Sequence, residues 1–220
     1  MSKKMFSYIK KMTTITCDQI PKVDLQIGEI TQSKTGAKNA PVGVGADLKQ
    51  LRIILAKSPT LTTPFVPTAY DGGDRVSFDL RAQDPVEGYI DKLDTLILQY
   101  VTKHKERFFK SPPSDGALAR LYTPLKKQAS DAKYSNLVRT KMTLGDRPSA
   151  KFWGADKKPL DPKNIDWRNS EFGVQVRLKS IWFQANRSFG GCLEVEHVLV
   201  QQTDHSCPFE VEENSPELFC

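Results

Sequence analysis

The apolar residues of this chain fall into several short strand-like runs and take helical spacing in one stretch. Val86, Ile90, Leu93, Ile97, Val101 and Phe108 fall three, four or seven apart, which is one stripe of an amphipathic helix. Asp84-Pro85-Val86-Glu87 reads as its start, with Asp84 as N-cap, Pro85 at the first position and Glu87 closing a capping box. Ser111-Pro112-Pro113-Ser114 stops it, so the helix is placed at about 84–110. Residues 23–30 and 75–81 alternate and 51–56 reads as a further strand before the helix, and 137–144, 149–154, 173–184 and 192–201 read as strands after it. Residues 31–47, rich in Gly, Lys, Ala and Asn, read as a mobile loop, and Pro59 as a strand break.

Short strands with one inserted helix fit a small barrel or a sandwich, so the fold class is mainly β with one long helix. At 220 residues the chain can bury one core. Residues 21–203 therefore read as one domain, preceded by a basic arm at 1–20 and followed by an acidic tail at 204–220. The charge is divided accordingly. The residues before Asp204 hold all 32 Lys and Arg against 21 acidic residues, a net +11, whereas the last seventeen carry five acidic residues and no basic one. A body of that sign suits polyanions, and such a tail competes for the same surface or recruits a basic partner.

Several function classes find no support. Cys17, Cys192, Cys207 and Cys220 form no CxxC pair and are expected as free thiols in a reducing, intracellular compartment. The opening MSKKMFSYIKKMTT lacks the apolar core of a signal peptide, and no window approaches the ~18 apolar residues of a membrane span. His205 and Cys207 have no second ligand pair, so neither metal nor cofactor is expected. No GxSxG, HExxH or phosphate-loop motif occurs, no catalytic residue is assigned, and a non-enzymatic role is expected.

The basic and aromatic residues fall on strands. In LVRTKMTL (137–144) the pleat sends Arg139 and Lys141 to one face and Val138, Met142 and Leu144 to the other. In GVQVRLKSIWFQ (173–184) it puts Gln175, Arg177, Lys179, Ile181 and Phe183 opposite Val174, Val176, Leu178 and Trp182, so that Trp182 reads as core. Lys151, Trp153, Lys157 and Lys158 repeat the mixture, and Arg187 stands in the turn before the last strand. Cations neutralise phosphates and flat rings stack on unpaired bases, so these residues make up the expected nucleic-acid site. Trp153 and Trp167 border loops, where a ring can stack on a base or pack inwards. Glu194 and Glu196 make one face of the last strand acidic.

The order of RVSFDLRAQDPVEGYIDKLDTLILQYVTKHKERFFK, LYTPLKK, LVRTKMTL, KFWGADKKPLD, FGVQVRLKSIWF and FGGCLEVEHVLV resembles a known family. It is similar to the replication single-stranded DNA-binding proteins of T-seven-like phages, and more closely to their relatives in large eukaryotic DNA viruses. The resemblance covers roughly residues 51–220; residues 1–50 lie outside it. It implies an oligonucleotide/oligosaccharide-binding (OB) barrel with a helix packed on one side. It also implies a tail that contacts the replicative DNA polymerase and helicase, here through Glu210, Glu212, Glu213, Glu217 and Phe219. The tail is shorter and less acidic than in the phage proteins, and it ends on Cys220 rather than on the aromatic. The expectation is a sequence-tolerant protein binding single-stranded DNA in viral replication, recombination or repair, in the host nucleus or a cytoplasmic replication site. A homodimer is left open. The alternatives are an RNA- or duplex-binding protein, and a viral capsid or scaffold protein.

Overall fold

The computed structural model describes residues 12–33, 36–69, 73–81, 83–131, 133–145 and 148–202. The first eleven residues and the tail with Glu210, Glu212, Glu213, Glu217 and Phe219 lie outside them. Among the described residues eight strands precede the helix: β1 (Met12–Thr16), β2 (Leu25–Ile27), β3 (Thr31–Gln32), β4 (Lys38–Val44), β5 (Gln50–Leu61), β6 (Thr68–Ala69), β7 (Arg75–Ser77) and β8 (Leu80–Arg81). Then come α1 (Val86–Lys103), α2 (Lys105–Phe108) and α3 (Asp115–Leu121). Seven more strands follow: β9 (Tyr122–Thr123), β10 (Lys126–Lys127), β11 (Leu137–Val138), β12 (Lys141–Thr143), β13 (Lys151–Trp153), β14 (Ser170–Phe183) and β15 (Phe189–Gln202).

The antiparallel pair β14–β15 organises the rest. On its outer edge β14 pairs with β5 at residues 172–177 and with β4 at 180–183. Along the opposite edge β15 takes three short strands in parallel, β9 at the hairpin tip, β12 in the middle and β13 towards the end. The sheet runs β1-β5-β14-β15-β12-β7-β6, and among the described residues no ladder joins β6 or β7 back to β1. A separate sheet runs β10-β11-β8. The fold is mainly β with one long helix, as the spacing predicts.

The helical stripe is correct residue by residue, since Val86, Ile90, Leu93, Ile97 and Val101 are all buried. Its ends differ from expectation. Pro85 is the N-cap and no side chain caps the helix. Glu87 is engaged elsewhere, by Lys126 Nζ at 2.8 Å and the Asn136 amide at 2.6 Å. α1 stops at Lys103, and Phe108 belongs to the short turn α2. Halfway along the stripe sits a buried carboxylate, Asp94. It accepts the Tyr122 hydroxyl at 2.5 Å and the Leu125 N–H at 3.0 Å, which fixes the 122–127 segment onto the helix. Burial pushes both groups up, so Asp94 is harder to ionise than usual and Tyr122 keeps its proton.

Three further expectations are corrected. Residues 31–47 hold β3 and all of β4, because β4 finds partners in β2, β3 and β14. The expected arm ending at 20 holds β1, which pairs in parallel with β5, and the fully buried Ile20. β5 continues through Pro59 to Leu61, where the β14 register shifts, so the missing N–H of proline leaves no gap in a regular ladder.

Candidate nucleic-acid interface

One row of residues crosses five strands on the solvent side of the main sheet. Arg52 of β5 is in register with Arg177 of β14, Arg177 with Glu194 of β15, Glu194 with Lys141 of β12, and Lys141 with Ser77 of β7. Arg177 is ion-paired to Glu194, and Lys179 Nζ lies 2.6 Å from the same carboxylate. Arg52 Nε stands 2.5 Å from Glu196 Oε2, and a guanidinium N–H donates to Oε1 at 3.3 Å. Burial pushes the Glu194 carboxyl up, but Lys179 and Arg177 outweigh it and hold the group below the usual carboxylate range. The acidic face of β15 therefore lies alongside the basic face of β14 and anchors it.

Beside this row opens a cleft of about 390 Å³ lined by Arg75, Lys127, Arg139, Lys141, Trp182 and Cys192, among others. Strand alternation does place Arg139 and Lys141 together, because Val138, Thr140 and Met142 all point inwards across the break between β11 and β12. The buried Thr140 bridges that break, with its hydroxyl donating to the Phe78 carbonyl. Lys141 Nζ donates to Ser77 Oγ at 2.6 Å, and Arg75 approaches Cys192 Sγ at 3.4 Å. Asp79 is the carboxylate of the cleft. Burial pushes it up, against the pull of Lys141, Arg139 and Lys127. Burial also pushes the Cys192 thiol up, with Arg75 and Lys179 opposing, so the sulfur stays protonated near neutral pH.

Trp182 was expected in the core and faces this cleft instead. The β14–β15 register shifts between Leu178 and Ser180, a bulge at which two successive residues face outwards. Beyond it the phase is reversed, with Ile181 and Phe183 pointing inwards and Trp182 outwards. Phe183, expected in the nucleic-acid site, is 7% exposed and packs between Phe108 at 5.5 Å and Phe189 at 5.8 Å. Trp167 is likewise core, 8% exposed against Phe78, Phe152 and Phe172.

At the other end of β15, Trp153 and Lys151 of β13 face outwards on either side of the buried Phe152. The Trp153 indole lies 6.2 Å from the His197 ring at 23° and donates its N–H to Nδ1 at 3.3 Å. With Ile54, Ala56 and Leu199 the pair lines a shallow depression of about 220 Å³. Burial lowers the His197 pKa, which keeps the accepting nitrogen unprotonated. Lys157 and Lys158 lie in the turn after β13, where Lys157 takes a φ of 61° and Lys158 pairs with Asp156 at 3.1 Å. Arg187 takes a φ of 69° at the β14–β15 turn and lines a separate depression with Lys38 and Lys110.

Thus the structure gathers Arg139 and Lys141 into one cleft, sets Arg177 and Lys179 on the adjoining row and puts Lys151 and Trp153 at the far end of β15. Lys157, Lys158 and Arg187 are on turns. Arg75, Lys127 and Trp182 are cleft residues that strand alternation alone did not identify. Among the described residues no group of three or more His, Cys, Asp or Glu is arranged to hold a metal ion.

No protein-family model and no curated protein sequence matches the chain. Several solved structures are similar to it. The single-stranded DNA-binding protein of bacteriophage Enc34 in complex with ssDNA has 16% identity and a TM-score of 0.39, over 82% of this chain and 94% of that one. The same phage protein alone has 15% identity and a TM-score of 0.37, over 86% and 96%. The single-stranded DNA-binding protein gp2.5 of bacteriophage T7 has 12% identity and a TM-score of 0.41, over 73% and 99%.

Proposed function

We propose that this protein binds single-stranded DNA without sequence preference and without catalysis, and serves viral DNA replication, recombination or repair. The observation that carries the reading is the cleft in which Arg75, Lys127, Arg139 and Lys141 surround the outward-facing indole of Trp182. Four cations supply phosphate contacts, and the ring supplies a stacking surface open to any base. Likenesses at TM-scores of 0.37 to 0.41 add nothing to that chemistry. The acidic tail is proposed as an internal competitor for the cleft and, through Phe219, as a docking segment for a replicative polymerase or helicase. The place of action is an intracellular, reducing compartment.

Titration with oligo(dT), duplex DNA and RNA at several salt concentrations tests the function. If about four phosphates are contacted, log K against log salt should slope near −3, at ~0.7 per phosphate. A flat salt response, or a preference for duplex, overturns it. Removing residues 204–220 should tighten binding most at low salt, where the tethered charge is least screened.

A further inference from the structure

Lys127 lines the Trp182 cleft and also a second depression, of about 630 Å³, over the β10-β11-β8 sheet. Two aromatic rings stand in solvent there, Phe65 at 59% and Tyr134 at 62% exposure. Single exposed apolar residues are ordinary, but two rings beside a basic rim are what unpaired bases stack on. Arg81, Lys127 and Lys133 form that rim, and Lys133 Nζ lies 5.0 Å from the Tyr134 ring centre. The lining residues themselves carry no carboxylate, but Lys133 Nζ is ion-paired to Asp131 at 3.2 Å, so Arg81 and Lys127 carry the net charge of the rim.

The rings are exposed but their backbones are tied down. The Oγ1 of the buried Thr63 lies 2.7 Å from the Asp79 carbonyl and accepts the Phe65 N–H at 3.4 Å. Asn136 Oδ1 accepts the Ala129 N–H at 2.9 Å and its amide donates to Glu87 at 2.6 Å, closing the base of the loop that carries Tyr134. Within that loop the Tyr134 N–H donates to the Asp131 carbonyl at 3.0 Å. With the backbone fixed before a ligand arrives, only side-chain rotation is left to lose on binding, which favours a stacking role.

We propose that Phe65 and Tyr134 form a second stacking platform for single-stranded DNA, reached by a strand that leaves the Trp182 cleft over Lys127. Charge complementarity selects the occupant, since the rim is cationic and the continuity with the cleft runs through a cation. The inference rests on the function proposed above, and it lengthens the binding site beyond the main sheet.

The test compares the wild type with the Phe65→Ala/Tyr134→Ala double variant on oligo(dT) of about four and about sixteen nucleotides, the span of site sizes for one OB fold. Both residues are exposed, so thermal unfolding should be unchanged. The expected result is a loss of at least about fivefold on the long oligonucleotide, with the short one bound as by wild type. Equal losses on both lengths, or none on the long one, overturn the platform while leaving the function intact. Failure of the wild type to bind either length overturns the function and the platform together.

Discussion

Trp182 lies against Gly190, its cross-strand partner, and donates its indole N–H to the Gly191 carbonyl at 3.3 Å. A Cβ on Gly190 would come within 2.7 Å of the Trp182 ring and of the Thr123 carbonyl oxygen. The glycine is thus what lets the indole lie flat at the mouth of the basic cleft. Trp182→Ala should weaken oligo(dT) binding by about 1–3 kcal/mol, the worth of one stacked base. Gly190→Ala, whose Cβ presses on both the ring and the Thr123 backbone, should weaken binding in the same direction and also lower thermal stability. Titration checks both, and unchanged affinity for Trp182→Ala would show that the ring only packs.

The cations divide into two kinds, and substitutions should separate them. Lys127 and Arg139 are exposed in the cleft, so replacing either with Ala should flatten the salt slope by about 0.7 and leave thermal stability alone. Arg177 holds the carboxylates of Glu194 and Glu196, whose side chains are 8% and 10% exposed. Arg177→Ala leaves them short of a partner and should cost about 1–3 kcal/mol of folding stability, read by denaturant unfolding.

Asp79 is the negative charge inside the cleft, and its removal should help an anionic ligand. Asp79→Asn should tighten oligo(dT) binding by about 0.5–1 kcal/mol at low salt, the range of a partly exposed charge pair. Because burial holds the carboxyl above its usual range, Asp79 takes up a proton earlier than an ordinary Asp as pH falls. Wild-type affinity should therefore rise with acidification towards that of the variant. Parallel pH profiles for the two proteins would refute the role.

His197 gives the sheet a pH dependence of the opposite kind. Its folded pKa is lowered by burial, so below about 6.5 the unfolded chain binds a proton that the folded chain resists. Stability should fall as pH drops through that window, and the Trp153 N–H should lose its acceptor once Nδ1 is protonated. His197→Gln should remove this part of the acid slope, as measured by thermal unfolding between pH 7 and about pH 5.

Regular periodicity was enough to find the helix and both faces of the 137–144 segment. Each turn or pleat repeats there, so Val86 to Val101 and the pair Arg139–Lys141 fall where spacing puts them. Composition likewise separated a basic body from an acidic tail. In β14 the same rule held from Val174 to Leu178 and failed after it, because one bulge shifts the pleat by a residue and exchanges Trp182 with Phe183. No local signal marks that bulge; it arises from how β15 and β4 pair with β14 on its two edges. The partners of Arg177 were hidden for a related reason, since Glu194 and Glu196 meet it only through cross-strand register. Tertiary pairing alone also brought Arg75 and Lys127, from strands far apart in the chain, to the rim of one cleft, because a sheet sets neighbours by hydrogen-bonded register and not by sequence distance.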